Sequence, residues 1–489
     1  SRNSRNSRNS SSCSFSGCNN SDCSSSRCTC SCSCTCSCTR RTCSCSAGGS
    51  SSSRSSSSSG GGSGPMQVVV AGCGIAGVST AMHLSQRGAR VILVDPRPPL
   101  TATSQYSTEC YRDFFTDPAL VPFMSRSVDI LEELAGDQNE FRLNRRGYAF
   151  FAASEEGAQA FEGFAEAASS FGAGPLRRHR GDCKAYQPSP PQGYRHPGLD
   201  GFDLVYGSEA IRSIFPFVTE QAQVMLHARR CGWMDAQGLG QTMLQAAKEG
   251  GRGGGSCQVL RGSVVALDRS GGGHGNVTRV RVAPPGGASE VVVDCDAFVN
   301  AAGAWAPKVH TLLEAEEPLP LVNEVHAKVI LNDTLGIIPQ DVAPFMVWRD
   351  RVTLDWDEET REGLLELDDT AEGGVVNSAS WLGTQPGGQH LRPAGNGRVL
   401  LLWEHLHRHI ELAEDPSMPV EQLLDMYPQL CLSGLRALVP ALGRYEGCLG
   451  RDTSVDAGYY TVTPDGRPLV SGLAALGAPN AFVCGGMGT

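Results

Sequence analysis

The sequence predicts an α/β fold built on a parallel sheet, and three observations carry the prediction. Residues 67–71, QVVVA, are a short β-branched run of the kind buried in such a sheet. Directly after it, Gly72, Gly74 and Gly77 give a GxGxxG turn that opens a helix-like stretch ended by Gly88. A second apolar run, ARVILVD, then closes on the carboxylate of Asp95. Strand, glycine turn, helix, strand and terminal acid at this spacing form a Rossmann-like dinucleotide-binding unit.

Each element has its reason. Gly72 permits the tight turn, Gly74 lets a pyrophosphate approach the backbone, and Gly77 lets the helix pack close to the strand. The helix, read over residues 75–87, points the N–H groups of its first turn, at Ile75 and Ala76, toward that phosphate. Asp95 is placed to accept hydrogen bonds from a ribose diol. The motif alone does not separate FAD from NAD. Arg97, beside three prolines, reads as a surface arginine rather than a ligand for a 2′-phosphate.

The bulk numbers bound what surrounds this unit. The chain has 489 residues, long enough for a large core and two domains. Its net charge is −10; the first 65 residues hold seven Arg and one Asp, a net of +6, which leaves −16 on the rest. So acidic a body argues against nucleic acid or an anionic membrane as the main partner. No uninterrupted apolar run reaches about 18–20 residues, so no membrane span is expected. Eleven of the 20 cysteines lie between Cys13 and Cys45, and the other nine are scattered without a CxxC pair. That scatter suits a reduced intracellular enzyme better than a disulfide framework.

The first 65 residues are low-complexity text, "SRNSRNSRNSSSC" and "CTCSCSCTCSCTRRTCSC", too poor in aliphatic residues to offset ordering entropy. They are expected to be disordered, with residues 46–65 as a flexible Gly/Ser linker. Repeat-derived sequence is the plain reading of the Ser-Cys alternation. A metallothionein-like thiolate cluster and a Ser/Arg-rich transit peptide are the alternatives.

Farther along, "VVVDCDAFVNAAGAWAPKV" (291–309) reads as a strand, a glycine turn and a helix start. With "GSVVALD" (262–268) and "YYTVTPDGRPLVSG…PNAFVCGGMG" near the end, the chain resembles FAD-dependent oxidoreductases of the D-amino-acid oxidase/sarcosine oxidase superfamily. "TSQYSTECYRDFF" and "GGQHLRPAGNGRVLLLWEH" match a less characterised branch. The resemblance covers about residues 66–489. It implies FAD, with Val264 at the strand whose backbone meets the adenine. It places Ser104, Ala302, Gly303 and Trp305 among the cofactor contacts, and Gly485, Gly486, Met487 and Gly488 in a loop beside the flavin ring. In the family a helix follows that loop; this sequence stops at Thr489, so either it is a fragment or its flavin site is incomplete. Some relatives tether flavin through a Cys just before the TPD segment, where this chain has Gly458, Tyr459 and Tyr460. Others use a His soon after the ribose acid, and none lies between Asp95 and Phe115. Non-covalent FAD is therefore expected.

The resemblance also divides the chain. Residues 66–139, 231–317 and 449–489 are expected to form the FAD-binding domain. Residues 140–230 and 318–448 form an inserted α+β substrate domain on a mixed sheet. "DPALVPFMSRSVDILEELA" is a packing helix by its periodicity. "NEVHAKVIL" alternates, so Glu324, His326 and Lys328 share one face of a strand that faces flavin in the family. "QHLRP" places His390 and Arg392 on one face of another, in a region lining the family's pocket. The chemistry implied is hydride transfer from the α-carbon of an amine to flavin, which needs the carboxylate held and the amine neutral. Arg112 and Arg392 are the candidates for the carboxylate, because the guanidinium fork binds it bidentately. Lys328 or His326 would serve oxygen activation or amine deprotonation. Tyr106 and Tyr111 either line the cavity or pack the core. "HLHRH" (405–409) reads as a solvated turn, so no metal site is expected.

The function expected is oxidation of a CH–NH bond of an amino acid or N-methylated amine, with electrons passing on to oxygen or another acceptor. A flavin monooxygenase-type activity would need NAD(P)H, and no second dinucleotide turn occurs. The non-enzymatic alternative is a flavin-bearing assembly or binding factor. The expected location is intracellular and cytoplasmic, or a plastid or mitochondrion if the head is a transit peptide.

Overall fold

The structure, a computed structural model, describes residues 64–489 except 182, 197, 252, 272–274, 367–380, 404–407, 410–425 and 488–489, together with the backbone of three short strands before residue 46. The chain divides into two units, Ser1–Gly62 and Ser63–Thr489.

In the first unit, strands Cys28–Thr29, Thr35–Thr39 and Thr42–Cys45 pair antiparallel in that order. The expectation of a head without regular structure is corrected at these residues. Thr favours extended backbone, and the two-residue alternation of Cys with Ser and Thr is itself a strand period. It sets Cys36 opposite Cys45 and Cys38 opposite Cys43.

The second unit holds two large sheets. The nucleotide sheet runs Ser256–Arg261, Arg90–Asp95, Gln67–Ala71, Ala297–Asn300 and Ala481–Gly485, all parallel, with Leu469–Gly472 antiparallel at its edge. Val69, Val70 and Leu93 are completely buried, as a strand covered on both faces requires. Helix Ile75–Gln86 turns Val78, Ala81 and Met82 inward and lies against helix Ala236–Glu249. Val78 and Met82 each contribute about 1.5–3 kcal/mol on full burial, and the single methyl of Ala81 less. A small antiparallel sheet, Ser263–Arg269, Val277–Ala283 and Val291–Asp294, adjoins. Asn480 holds it in place, because its side chain bonds both backbone groups of Val277 and the carbonyl of Asp296.

The other sheet is mixed, as expected. Its order is Arg408–His409, Val322–Asn332, Arg398–Trp403, Gln389–Gly395, Phe345–Trp348, Tyr148–Ala152, Val224–Ala228, Phe202–Tyr206 and Leu176–Arg180. The pairs Phe345–Trp348 with Tyr148–Ala152 and Leu176–Arg180 with Phe202–Tyr206 are parallel. Strand Thr453–Val462 also belongs here: it pairs with Val322–Asn332 from Val322 opposite Val462 to Leu331 opposite Thr453. The last domain boundary, expected before residue 449, therefore falls after that strand. One face of the sheet buries Phe151, Met225, Val329, Leu391, Leu401 and Trp403, together with helix Tyr427–Leu435. The opposite face carries Lys328, His390 and Arg392, and beyond them an aromatic cluster of Tyr148, Phe345, Phe114 and Phe202. Among the described residues no helix is long and apolar enough to cross a membrane.

Candidate active site

The glycines of the turn do different work. Gly72 has φ +106°, and a Cβ there would lie 2.2 Å from the carbonyl oxygen of Ala301. A Cβ on Gly77 would lie 2.0 Å from the carbonyl oxygen of Gly72. Both glycines are demanded by the chain itself. Gly74 is not: its backbone is extended, and a Cβ would meet only Ser104 Oγ, at 3.4 Å. Its bareness leaves room for a ligand. Helix geometry leaves the N–H groups of Ala76 and Gly77 without carbonyl partners in their own helix, facing the same end. The bare Gly74 and the positive end of the helix suit a diphosphate.

Asp95 joins the turn to the second strand. Its two carboxylate oxygens accept the backbone N–H of Cys73 and of Arg97, each at 2.9 Å. Each oxygen keeps a further lone pair for a ribose hydroxyl. The carbonyl of Asp95 accepts the N–H of Gly262 at 3.0 Å, which sets the strand containing Val264 beside the acid. On the far side, Ala301 N donates to the carbonyl of Ala71 at 2.8 Å, and Gly303 has φ +58°. Trp305 meets Tyr459 edge-on at 5.5 Å, and the Arg97 guanidinium lies 4.1 Å above its ring. Arg97 thus lies on an aromatic face at this site. Gly485 ends its strand, Gly486 has φ +63°, and Met487 is exposed. Gly488 lies outside the described residues, as do His405 and His407. Among the residues described, no group of His, Cys, Asp or Glu could hold a metal ion.

Segment 100–109 links this turn to the mixed sheet. Three of its non-glycine residues, Leu100, Ala102 and Glu109, have positive φ, a conformation costing about 1–2 kcal/mol each. Leu100 N donates to the carbonyl of Cys73 at 2.9 Å, and Ser104 Oγ accepts the N–H of Ile75 at 3.0 Å. Thr103 Oγ1 donates to the carbonyl of Tyr459 at 3.0 Å. Four residues on, Lys328 Nζ donates to the carbonyls of Ser107 at 2.8 Å and Tyr106 at 3.1 Å. Arg392 donates twice to the carbonyl of Thr108, from Nε at 3.0 Å and from Nη2 at 2.7 Å. Replacing Ser104 by Ala should lower stability by about 1 kcal/mol, because the Ile75 N–H loses its acceptor. Thermal unfolding with and without FAD measures it, and an unchanged Tm in both states would contradict the contact.

A cavity of about 140 Å³ opens on that sheet face, lined by Glu109, Lys328, Ile330, Arg392, Ala394, Arg398 and Leu400. Lys328 is 8% exposed, and burial pushes its ammonium pKa down, against the pull of Asp456 and Glu109. Arg392 is 2% exposed and spends its donors on the chain: on Thr108, on the Pro393 carbonyl and on Glu109 Oε2 at 2.9 Å. The free bidentate fork expected there is therefore committed, because segment 100–109 brings carbonyls to it. His326 stacks on Tyr460 at 3.9 Å and bonds Glu324 Oε2 at 2.9 Å. Burial, with the charge of His390, brings its pKa down to about 3, so the ring is neutral at ordinary pH. Arg112 lies 4.4 Å over Phe115 and 5.6 Å over Phe114, at the aromatic cluster. Tyr111 is core, its hydroxyl donating to the carbonyl of Asn144 at 2.7 Å. Glu109 and Arg398 are the polar lining residues that sequence reasoning missed, with the apolar Ile330, Ala394 and Leu400. Glu109 sits inside the quoted "TSQYSTECYRDFF", so its loop was visible and its conformation was not.

Next to Arg112, burial raises the carboxyl pKa of Asp113 from 3.8 to about 7, against the pull of Arg230 and Arg145. The folded chain therefore keeps a proton that the unfolded chain releases near its ordinary value. This contribution to stability is greatest below the ordinary value, falls as pH rises to about 7, and is constant above. Asp113→Asn should raise Tm by a few degrees at pH 8 and change it little at pH 4. Equal shifts at the two pH values would refute the buried acid.

Comparison with known proteins places this geometry. Residues 67–354 match the family model DAO, FAD dependent oxidoreductase. The comparison with curated protein sequences found no match. Among solved structures, the fold is similar to L-proline dehydrogenase from P. horikoshii, with TM-score 0.60 and 17% identity over 87% of this chain and 88% of that one. It is similar to glycine oxidase from Bacillus cereus ATCC 14579, with TM-score 0.57 and 14% identity over 86% and 89% of the two chains. It is also similar to FAD-bound L-alpha-glycerophosphate oxidase from Mycoplasma pneumoniae, with TM-score 0.58 and 13% identity over 87% and 90%. With the glycine turn, the ribose acid and the match over more than half its length, the chain belongs to the DAO family of FAD-dependent oxidoreductases.

Proposed function

We propose that this protein oxidises a carbon–nitrogen bond of a small amino acid or N-methylated amine. The observation that carries the reading is the polar cavity on the mixed sheet. Two of its lining side chains, Arg392 and Arg398, are permanent cations, Lys328 is a basic amine, and one, Glu109, is an anion. The cationic excess suits a substrate carboxylate, and Ile330, Ala394 and Leu400 suit a short apolar remainder. Two of the similar structures are of L-proline dehydrogenase and glycine oxidase, which supports an amino-acid substrate; a third, L-alpha-glycerophosphate oxidase, names the competing class.

Bound at the glycine turn, FAD supplies the hydride acceptor and passes the electrons to oxygen or another acceptor. Gly74, the Ala76 and Gly77 N–H groups, Asp95 and the backbone around Val264 would hold its dinucleotide part. Ala302–Trp305 and Gly485–Met487 would line the remainder. Cys110 is a poor tether: its thiol donates to the carbonyl of Thr108 at 3.3 Å, and burial pushes its pKa up. This supports non-covalent binding.

The chain's own side chains then have separate tasks. Arg398 holds the carboxylate from the cavity wall. Arg112 has no hydrogen bond or ion pair to another described residue and stays available to an anion. Lys328 moves a proton at Nζ, since burial favours its neutral form. Arg392 holds segment 106–109 in position rather than gripping the substrate. His326, neutral and stacked, fixes Tyr460.

The test is spectroscopic. The FAD-loaded protein is mixed without oxygen with sarcosine, dimethylglycine, proline and D-amino acids, and separately with glycerol 3-phosphate. Bleaching of the flavin bands by an amine is the expected result. Bleaching by glycerol 3-phosphate alone would overturn the amine reading. A flavin that none of them bleaches would favour an assembly or binding factor.

A further inference from the structure

The polar lining of the cavity is lopsided. Arg392 and Arg398 can only donate hydrogen bonds, Lys328 already donates to the Tyr106 and Ser107 carbonyls, and Glu109 is the one carboxylate among the lining side chains. We infer that Glu109 reads the amino group of the substrate. The site then takes a zwitterion, its carboxylate toward the cations and its N–H toward Glu109, in preference to an oxygen isostere of the same size. The inference rests on the amine-oxidising reading above and adds the residue that selects for nitrogen.

Three features of Glu109 carry it. Its backbone is in the left-handed region, at φ +63°, where side-chain-bearing residues are disfavoured. Two contacts hold it there: its N–H donates to Ser107 Oγ at 2.9 Å, and its carbonyl accepts the N–H of Met234 at 3.0 Å. The carboxylate is also fixed. Oε2 accepts from Arg392 at 2.9 Å, and Oε1 from the backbone N–H of Ala236 at 3.3 Å, at the start of the helix Ala236–Glu249. Each oxygen has a second lone pair, and the side chain keeps 33% of its surface exposed while lining the cavity.

The chemistry of selection follows. An amine N–H bonded to a fixed carboxylate makes a charge-assisted hydrogen bond. An ether oxygen in the same place offers lone pairs to lone pairs and leaves the carboxylate without its donor. A site that turns a fixed, half-buried carboxylate to a substrate N–H discriminates against the analogue lacking it. A hydroxyl can still donate once, so a hydroxy acid is rejected less than an ether acid. A merely structural Glu109, holding Arg392, would treat the two members of an isosteric pair alike.

Two such pairs are sarcosine with methoxyacetate, and L-proline with tetrahydrofuran-2-carboxylate. Their dissociation constants are measured anaerobically on the FAD-loaded protein, from the perturbed flavin spectrum or as competitive inhibition constants. The wild type is expected to prefer the nitrogen member by roughly 10- to 150-fold. Glu109→Gln should reduce that ratio, and Glu109→Leu should bring it close to one. Equal losses for both members of a pair would give Glu109 a structural role and overturn the inference. If the variants do not fold, the wild-type ratio decides, and a ratio near one overturns it. An amine that bleaches the flavin while the ratio stays near one removes only the assignment of Glu109. Failure of every amine to bind or bleach removes the amine reading itself.

Discussion

Alanine at Gly74 should leave the protein folded and weaken FAD roughly 10- to 100-fold, the range given by about 1–3 kcal/mol for a methyl forced into a filled space. The space is empty of protein: a Cβ there meets only Ser104 Oγ, at an ordinary 3.4 Å, and the backbone angles are ones alanine adopts freely. What the methyl would strike is the ligand. Alanine at Gly72 is the contrasting control. Its Cβ would meet Ala301 O at 2.2 Å, Ala301 C at 2.7 Å and Ala302 Cα at 3.0 Å, all backbone, at φ +106°. No flexible side-chain end is there to give way, so the protein itself loses stability. The two are separated by measuring Tm without FAD, and FAD affinity by fluorescence quenching. A Gly74→Ala protein that binds FAD as tightly as the wild type would move the diphosphate away from this turn.

The second large effect is expected at Lys328. Lys328→Met should lower kcat/KM for the best amine by about 10²- to 10⁴-fold, the usual range for a positioned proton carrier. It also removes donors from two carbonyls, Tyr106 and Ser107, at about 1 kcal/mol each. A modest fall in Tm is therefore built in. The pH profile separates the two losses. Burial pushes the Lys328 pKa down, so the neutral amine that can accept a proton appears at lower pH than for an exposed lysine. Wild-type kcat/KM should rise with pH along that limb, and the Met variant should lose the limb. A variant within tenfold of the wild type, with the limb intact, would show that Lys328 carries no proton.

What the sequence disclosed was local. Gly72, Gly74, Gly77 and Asp95 work within thirty residues of one another, and their spacing reports their geometry. The shared faces of His326 with Lys328 and of His390 with Arg392 were legible because strand alternation is strict. What those side chains touch was not. Lys328 meets carbonyls 221 and 222 residues away, and Arg392 meets one 284 residues away. No periodicity encodes such distances, so a committed guanidinium read as a free one. Glu109 was hidden for a different reason. Its position depends on a left-handed backbone that residue type does not announce. The strand Thr453–Val462 was assigned to the wrong side of a boundary, because pairing, not pattern, decides which sheet a strand joins.

Segment 100–109 is fastened to the nucleotide turn at one end and to Lys328 and Arg392 at the other. Two ligands that press on the ends of one short tether are not independent guests. Whatever free energy the first contributes by settling the tether, the second no longer has to find, and the advantage runs equally in both directions. A carboxylate analogue in the cavity should therefore tighten the equilibrium binding of FAD, and a protein stripped of FAD should hold the analogue more weakly, by one and the same factor.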